Sequence, residues 1–244
     1  MSINEFRVGP YRAVNLGTRI EADNPRLLAC DKHRRADTGD FHTGLVFDSH
    51  LGTHVETPAH FFDGLPGICT YQSDYHTRQV GLGLRLRLNG IPSAYPIGAW
   101  EINAALHAAK LGRADLAGAI VLLDSPHHRE PFTNSPDDPR PQLTVDAAIL
   151  LRQLQIRALG FGDGISIEHD PAESLGIHGV LMTAGIELIE VLRNLDQIQE
   201  TAFLFVCLPL PIVGLESSPV QPIAIEGVPG FRFEDLPSQK RDKA

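Results

Sequence analysis

Four residues that can bind a metal ion recur at even spacing near position 50. They are His50, His54, Glu56 and His60. Side chains two positions apart in an extended chain point to the same face, so all four would share one face. A helix would direct Glu56 away from His50 and His54, and Gly52 and Pro58 both disfavour a helix. We therefore predict an extended segment whose face can hold a cation.

The donor atoms indicate which cation this would be. Imidazole nitrogen and carboxylate oxygen suit zinc, manganese and other divalent first-row ions, whereas calcium would want more oxygens. The alternative is a histidine-rich surface loop, because histidine is often half exposed. Four aligned donors are less readily explained in that way. The sequence thus predicts a site for a divalent ion such as Zn²⁺ or Mn²⁺.

Such a site needs further ligands from elsewhere in the chain. His178 lies in an apolar stretch, and Glu190 is flanked by apolar residues on both sides. Burying an unpaired carboxylate costs several kcal/mol, so Glu190 should have a partner. Glu187 is the rival position, and Glu190 facing solvent on an amphipathic helix is the other interpretation. His127 and His128 are adjacent in a proline-rich stretch, and such neighbours rarely converge on one ion.

Short strand-like and helix-like patterns alternate along the chain, which is typical of an α/β domain. Strands are predicted at residues 84–88, 118–124 and 202–208. Helices are predicted at residues 99–111, at 144–154 with Thr144 as N-cap, and after Gly185. Residues 21–40 and 126–141 are interpreted as loops, and residues 238–244 as a polar tail.

Composition excludes several classes of protein. The 244 residues, 43% of them hydrophobic, predict one domain over residues 1–244. A formal net charge of −9 argues against a nucleic-acid partner. No apolar signal region or membrane-length run occurs, so we expect a cytoplasmic protein without a membrane partner. Three separated cysteines offer neither a disulfide framework nor a Cys-x-x-Cys site, and we expect reduced thiols.

The run from His50 to Phe61 resembles the His-x-Gly-Thr-His-x-Asp-x-Pro-x-His signature of the cyclase family of metal-dependent hydrolases. That family includes kynurenine formamidase, isatin hydrolase and trans-dienelactone hydrolase. Residues 116–123, residues 158–168, the spacing from His178 to Glu190, and residues 208–211 followed by 218–220 also fall in the family's order. The resemblance covers nearly the whole chain.

This resemblance implies a swivelling β/β/α domain with a mixed sheet, which assembles as a homodimer or homotetramer. It implies one or two metal ions held by five ligands: His50, His54, Glu56, His178 and Glu190. His60 would be the acid/base, and metal-activated water would attack the carbonyl of a small amide, lactam, lactone or ester. No Gly-x-Ser-x-Gly motif is present to supply a serine nucleophile.

Two departures from the family pattern limit what the resemblance implies, and two other functions also remain open. Glu56 stands where the family usually has Asp. Residues 122–128 stand where many members have a basic residue and Thr, and Gln221 replaces a common Arg. A lyase or dehydratase could use the same metal to stabilise an enolate, with His60 abstracting a carbon-bound proton. A non-catalytic metal-binding protein would keep the ion and turn nothing over. The substrate itself is not readable from the sequence.

Overall fold

The computed structural model describes residues 4–69, 80–127, 139–162, 164–168 and 170–229. Its strands are β1 (Glu5–Val8), β2 (Tyr11–Asn15), β3 (Leu27–Arg34), β4 (Phe41–Phe47), β5 (His54–Glu56), β6 (Val80–Arg87), β7 (Pro96–Ile97), β8 (Ile120–Asp124), β9 (Gln142–Leu143), β10 (Ala158–Gly162), β11 (Glu187–Leu192), β12 (Ala202–Val206), β13 (Ser217–Pro219) and β14 (Ile223–Glu226). The α-helices are α1 (Ala99–Ala108), α2 (Val145–Gln153) and α3 (Pro171–Met182). Short 3₁₀ turns occupy Pro58–His60, Arg113–Leu116 and Leu195–Gln197.

One ten-stranded mixed sheet organises the chain. Its strand order is β1-β2-β14-β12-β6-β8-β10-β11-β5-β13. The four strands β6, β8, β10 and β11 run parallel to one another, and the other neighbours pair antiparallel. The predicted α/β class with a mixed sheet is therefore confirmed.

The sheet is buried on both faces. Val121 and Leu123 point into a core formed with the three helices, whereas Ile120 and Leu122 point into a second core on the opposite face. Side chains alternate across a strand, so a strand with a core on each side must be apolar throughout. This explains why residues 120–124 form an almost unbroken apolar run.

Several predicted elements are confirmed. Strands β6, β8 and β12 occupy the three predicted strand positions, and α1 and α2 lie within the two predicted helical stretches. The hydroxyl of Thr144 accepts a hydrogen bond from the backbone N–H of Ala147, as expected of an N-cap.

The prediction of a loop over residues 21–40 is wrong. Strands β3 and β4 pair antiparallel from Leu27–Phe47 to Arg34–Phe41 and form a separate two-stranded ribbon. Most side chains of this ribbon are exposed on both of its faces. Polar residues fill many of its positions, so it lacks the apolar alternation by which strands are recognised.

The helix predicted after Gly185 is also wrong, because that segment is strand β11. The helix precedes it as α3, which begins after Asp170, whose carboxylate caps Ala172 and Glu173. Gly185 adopts a positive φ of 74° in the turn between helix and strand. A short apolar run fits a buried strand as well as a helix, and pairing with β10 and β5 decides for the strand.

Other expectations concern the chain as a whole. None of the helices in the described part is long and apolar enough to cross a lipid bilayer. Cys30, Cys69 and Cys207 are free thiols, as expected. Residues 238–244 and most of the 126–141 segment, including His128, lie outside the described residues. The single domain over residues 1–244 stays a prediction.

Candidate metal centre

The histidine-rich segment is not one extended strand, which corrects our prediction. Only residues 54–56 form a strand, while His50 lies in a turn and His60 ends a 3₁₀ turn. Gly52 takes a positive φ of 64°, which a residue with a side chain rarely adopts. Pro58 at the start of the 3₁₀ turn fixes the second bend. The two bends fold His50 and His60 back toward the strand.

Strand β5 is held between two neighbours that shape the site. On one side it pairs with β11, where His54 lies directly opposite Glu190. On the other side it pairs with β13, where Glu56 lies opposite Ser217. Directly opposed residues on antiparallel strands share a face of the sheet. The pairing therefore brings Glu190 beside His54, although the two are 136 positions apart in the chain.

The Glu56 carboxylate lies at the centre of four imidazole rings. Its Oε1 atom is 3.2 Å from His50 Nε2, 3.5 Å from His54 Nε2 and 3.5 Å from His60 Nε2. Its Oε2 atom is 3.7 Å from His178 Nε2. A second carboxylate oxygen, from Glu190, lies 3.9 Å from His54 Nε2.

Backbone carbonyls orient two of the rings. His54 Nδ1 is 2.9 Å from the carbonyl of Gly52, and His178 Nδ1 is 2.7 Å from that of Ser174 in α3. A carbonyl only accepts, so both Nδ1 atoms donate, which leaves both Nε2 atoms, on the side of Glu56, available to bind an ion. The Phe61 ring stacks on His178 at 4.6 Å. Metal-binding histidines are commonly oriented through their other ring nitrogen in this way.

The surroundings shift the pKa values of the two buried carboxyl groups, Glu56 and Glu190, in opposite directions. Burial alone would raise the pKa of the Glu56 carboxyl, but the rings of His178, His50 and His54 outweigh it and hold that pKa well below its usual value. Burial raises the pKa of Glu190 well above its usual value, and the charge of Glu56 raises it further. A cation beside Glu190 would favour its ionised form.

Burial also affects the candidate acid/base. It lowers the pKa of His60, and the rings of His50 and His178 lower it further against the attraction of Glu56. The net lowered pKa leaves the ring neutral at pH 7, so His60 can accept a proton.

Unsatisfied polar atoms fit a metal ion at this place. Among the described residues, the buried atoms His50 Nε2 and Glu56 Oε2 have no hydrogen-bond partner. Such atoms are costly unless something else satisfies them. Two groups have donor atoms close enough to share an ion: His50 with Glu56 and His60, and His54 with Glu56 and Glu190. The donor set of imidazole and carboxylate suits a divalent first-row ion.

A cleft of about 80 Å³ opens beside these donors. His50, His54, Glu56 and Glu190 line it together with Arg26, Arg140, Ser166 and Glu168. The two arginines escaped the sequence analysis, because neither belongs to a motif and Arg26 lies in the segment interpreted as a loop. A space of this size suits an ion and a reacting group, so a larger substrate would extend beyond the cleft.

The structure brings all six predicted site residues together: His50, His54, Glu56, His60, His178 and Glu190. Their individual roles stay predictions, and the geometry places His60 as close to Glu56 as the predicted ligand His54. The rival Glu187 is buried at the other end of β11, opposite Ala158. His127 forms its ring hydrogen bond elsewhere: its Nε2 lies 2.6 Å from the backbone carbonyl of Ile91.

Comparisons with known proteins agree with this architecture. Residues 14–169 match the model of the family described as putative cyclase. No functionally curated protein matches the chain. A solved structure described as a potential metal-dependent hydrolase with cyclase activity is 23% identical, with a TM-score of 0.64, over 90% of this chain and 100% of the other.

Two isatin hydrolases are also similar in fold. The enzyme from Labrenzia aggregata is 21% identical with a TM-score of 0.73, over 89% of this chain and 94% of the other. The enzyme from Ralstonia solanacearum is 17% identical with a TM-score of 0.69, over 89% of this chain and 92% of the other. At these identities the likeness establishes a shared fold.

Proposed function

Because the chain belongs to the cyclase family, we propose that it is a metal-dependent hydrolase. Its substrate is a small molecule with an amide, lactam, lactone or ester carbonyl, which the enzyme cleaves or opens with water. The proposed ligands are His50, His54, Glu56, His178 and Glu190, holding one or two Zn²⁺ or Mn²⁺ ions.

The observation that carries this proposal is the position of the Glu56 carboxylate. Imidazole Nε2 atoms lie within 4 Å of it on several sides, and its own Oε2 lacks a hydrogen-bond partner among the described residues. A set of buried donors aimed at one point, with atoms left unsatisfied, is what an ion-binding shell requires.

A divalent ion bound there would supply Lewis acidity, which lowers the pKa of water from about 15.7 toward about 7 and polarises a carbonyl oxygen. The protein supplies the arrangement around it. His54 and His178 are fixed by backbone carbonyls, so their Nε2 lone pairs need no reorientation on binding. Glu190 would ionise and contribute negative charge.

His60 is the proposed proton carrier. Its ring is half exposed, with 27% of the side-chain surface accessible, so it can reach both the site and a bound substrate. Its lowered pKa keeps Nε2 free to accept the proton of the attacking water. The same atom then returns that proton to the leaving nitrogen or oxygen. A positioned acid/base of this kind contributes roughly 10²–10⁴-fold to rate.

The test begins with the metal content of the purified protein, measured by mass spectrometry of the elements. The metal-loaded protein is then incubated with a panel of N-formyl amines, lactams, lactones and esters in heavy-oxygen water. Hydrolysis places one solvent oxygen in each new carboxylate. The expected result is at least one substrate that is turned over with this label and only in the presence of metal.

Other outcomes would contradict the proposal. A product that forms without solvent oxygen would indicate the lyase or dehydratase. Stoichiometric metal with no turnover across the panel would indicate a metal-binding protein. Protein that binds no divalent ion would refute the site itself.

Assembly into a homodimer or homotetramer is also a proposal, as is the cytoplasmic location. The ribbon of β3 and β4 supports the assembly. Leu28, Phe41, Leu45 and Val46 are each more than half exposed on it. A two-stranded ribbon is at best marginally stable in water without a packing partner. A second copy of the chain would provide one, and mass measurement in solution tests this.

A further inference from the structure

His50 stands in a line of hydrogen bonds that ends on a carboxylate outside the ligand set. We propose that Ser49 and Glu216 are positioning residues, which hold the His50 ring so that Nε2 faces the ion. The inference rests on the proposed metal-dependent function, because it gives these two residues a role only through His50.

The distances define a relay of two hydrogen bonds. Ser49 Oγ lies 2.6 Å from Glu216 Oε1 and 3.1 Å from His50 Nδ1. A carboxylate only accepts, so the Ser49 hydroxyl donates its single proton to Glu216. Ser49 Oγ must then accept from His50, which requires the proton to sit on Nδ1. In the neutral ring that tautomer leaves the Nε2 lone pair available to an ion, and the Nε2 atom lies 3.2 Å from Glu56 Oε1.

His50 needs this relay because its position differs from that of the other rings. His54 and His178 donate Nδ1–H to backbone carbonyls within their own strand or helix segment. His50 lies in a turn, and the acceptors near its Nδ1 are the side chains of Ser49 and Asp48. A turn residue without an orienting partner would leave its ring free to rotate away from the shell.

Asp48 is the competing partner, at 3.3 Å from His50 Nδ1. Its same oxygen, Oδ1, already accepts from the backbone N–H of His50 at 2.8 Å and from Arg26 at 3.2 Å. Its side chain is 45% exposed, so water competes for it. The Glu216 carboxylate is half-buried and its contact with Ser49 is shorter. Charge-assisted hydrogen bonds of that length are the stronger kind.

Glu216, the residue before β13, is anchored to the site. The backbone carbonyl of Glu216 accepts from both the N–H and the hydroxyl of Thr57, next to Glu56. Ser217 donates through its hydroxyl to the carbonyl of Ser49. These bonds fix Glu216 beside Thr57 and Ser49 beside β13. The ionised Glu216 also polarises Ser49, which makes His50 a more basic ligand.

The experiment measures the dissociation constant of Zn²⁺ by competition with a chromophoric chelator. The Glu216→Gln and Ser49→Ala variants should bind Zn²⁺ about 10- to 100-fold more weakly than the wild type, the range found for residues that orient metal ligands. Ser49→Thr keeps the hydroxyl and should stay within about threefold of the wild type. Asp48→Asn serves as the matched control and should also change affinity by less than about threefold.

A spectroscopic readout separates positioning from general stability. In the Zn²⁺-loaded wild type, nitrogen NMR of His50 should show a protonated Nδ1 that exchanges slowly with water. Glu216→Gln should speed that exchange, while the melting temperature of its metal-free form should stay close to that of the metal-free wild type.

The outcomes distinguish the inference from the function on which it rests. If the wild type binds no Zn²⁺, the proposed function fails first. If the wild type binds Zn²⁺ but Glu216→Gln and Ser49→Ala bind it equally well, the relay has no positioning role. A large loss in Asp48→Asn with none in Glu216→Gln would assign the role to Asp48 and overturn the inference.

Discussion

Shortening the central carboxylate is the sharpest test of the site. The Glu56→Asp variant restores the residue type of the family signature, yet we expect it to bind metal more weakly. The side chain becomes shorter by one methylene, about 1.5 Å. Glu56 Oε1 and Oε2 now lie 3.2–3.7 Å from the rings of His50, His54, His60 and His178. A retraction of that size exceeds by several times the tolerance of about ±0.2 Å for ligand distances.

The expected loss can be bounded. Residues that only orient a ligand change metal affinity by about 10- to 100-fold, so displacing a ligand should cost at least that much. A 100-fold loss corresponds to about 2.8 kcal/mol of binding free energy. The assay is chelator competition for Zn²⁺ and Mn²⁺, with turnover measured on the same samples.

Glu168→Asp is the matched control. Glu168 lines the same cleft but is exposed, and it is not among the proposed ligands. Its shortening should leave metal affinity unchanged. Unchanged affinity and turnover in Glu56→Asp would refute the reasoning, because Glu56 would then not contact the ion and the shell would consist of fewer side chains.

Three other predictions follow from the geometry. His60→Gln should retain its metal while kcat falls by about two to four orders of magnitude; loss of metal in that variant would make His60 a ligand and exclude the proposed proton transfer. The acid limb of kcat/KM in the wild type should lie below pH 6.5, because burial lowers the pKa of His60 and the neutral ring, which is the active base, persists until the pH falls below that lowered value. A limb at or above pH 6.5 would contradict this assignment. Leu45→Lys on the exposed ribbon should reduce the mass of the assembly in light scattering, and an unchanged mass would remove the ribbon from the proposed interface.

Much of the site could be predicted because its residues carry their chemistry in their types. His50, His54, Glu56 and His60 are close in the chain, so their types and spacing indicate a metal site, although the bends at Gly52 and Pro58 are needed to bring the ends of the run together. The α/β class could be predicted as well, since β8 needs apolar residues on both faces and α2 begins at a residue suited to an N-cap. These are local properties of composition and spacing.

The sequence was less informative where pairing decides the structure. The extended face predicted for the histidine segment is instead a three-residue strand with a bend at each end. The segment after Gly185 is a strand because β10 and β5 lie on either side of it, and no local pattern records those neighbours. The ribbon of β3 and β4 is held by backbone hydrogen bonds, and its apolar residues do not alternate regularly with polar ones, so it has no periodic signal.

By itself the sequence therefore determined the metal-binding chemistry and the class of fold, because side-chain type and short-range spacing are written in the chain. Only the tertiary structure decided that Glu190 lies opposite His54, that Glu56 is the centre of the cluster, and that Glu216 reaches His50 through Ser49. The contacts of His54 with Glu190, of Glu56 with His178 and of Ser49 with Glu216 join residues more than a hundred positions apart, and they exist only once the chain has folded.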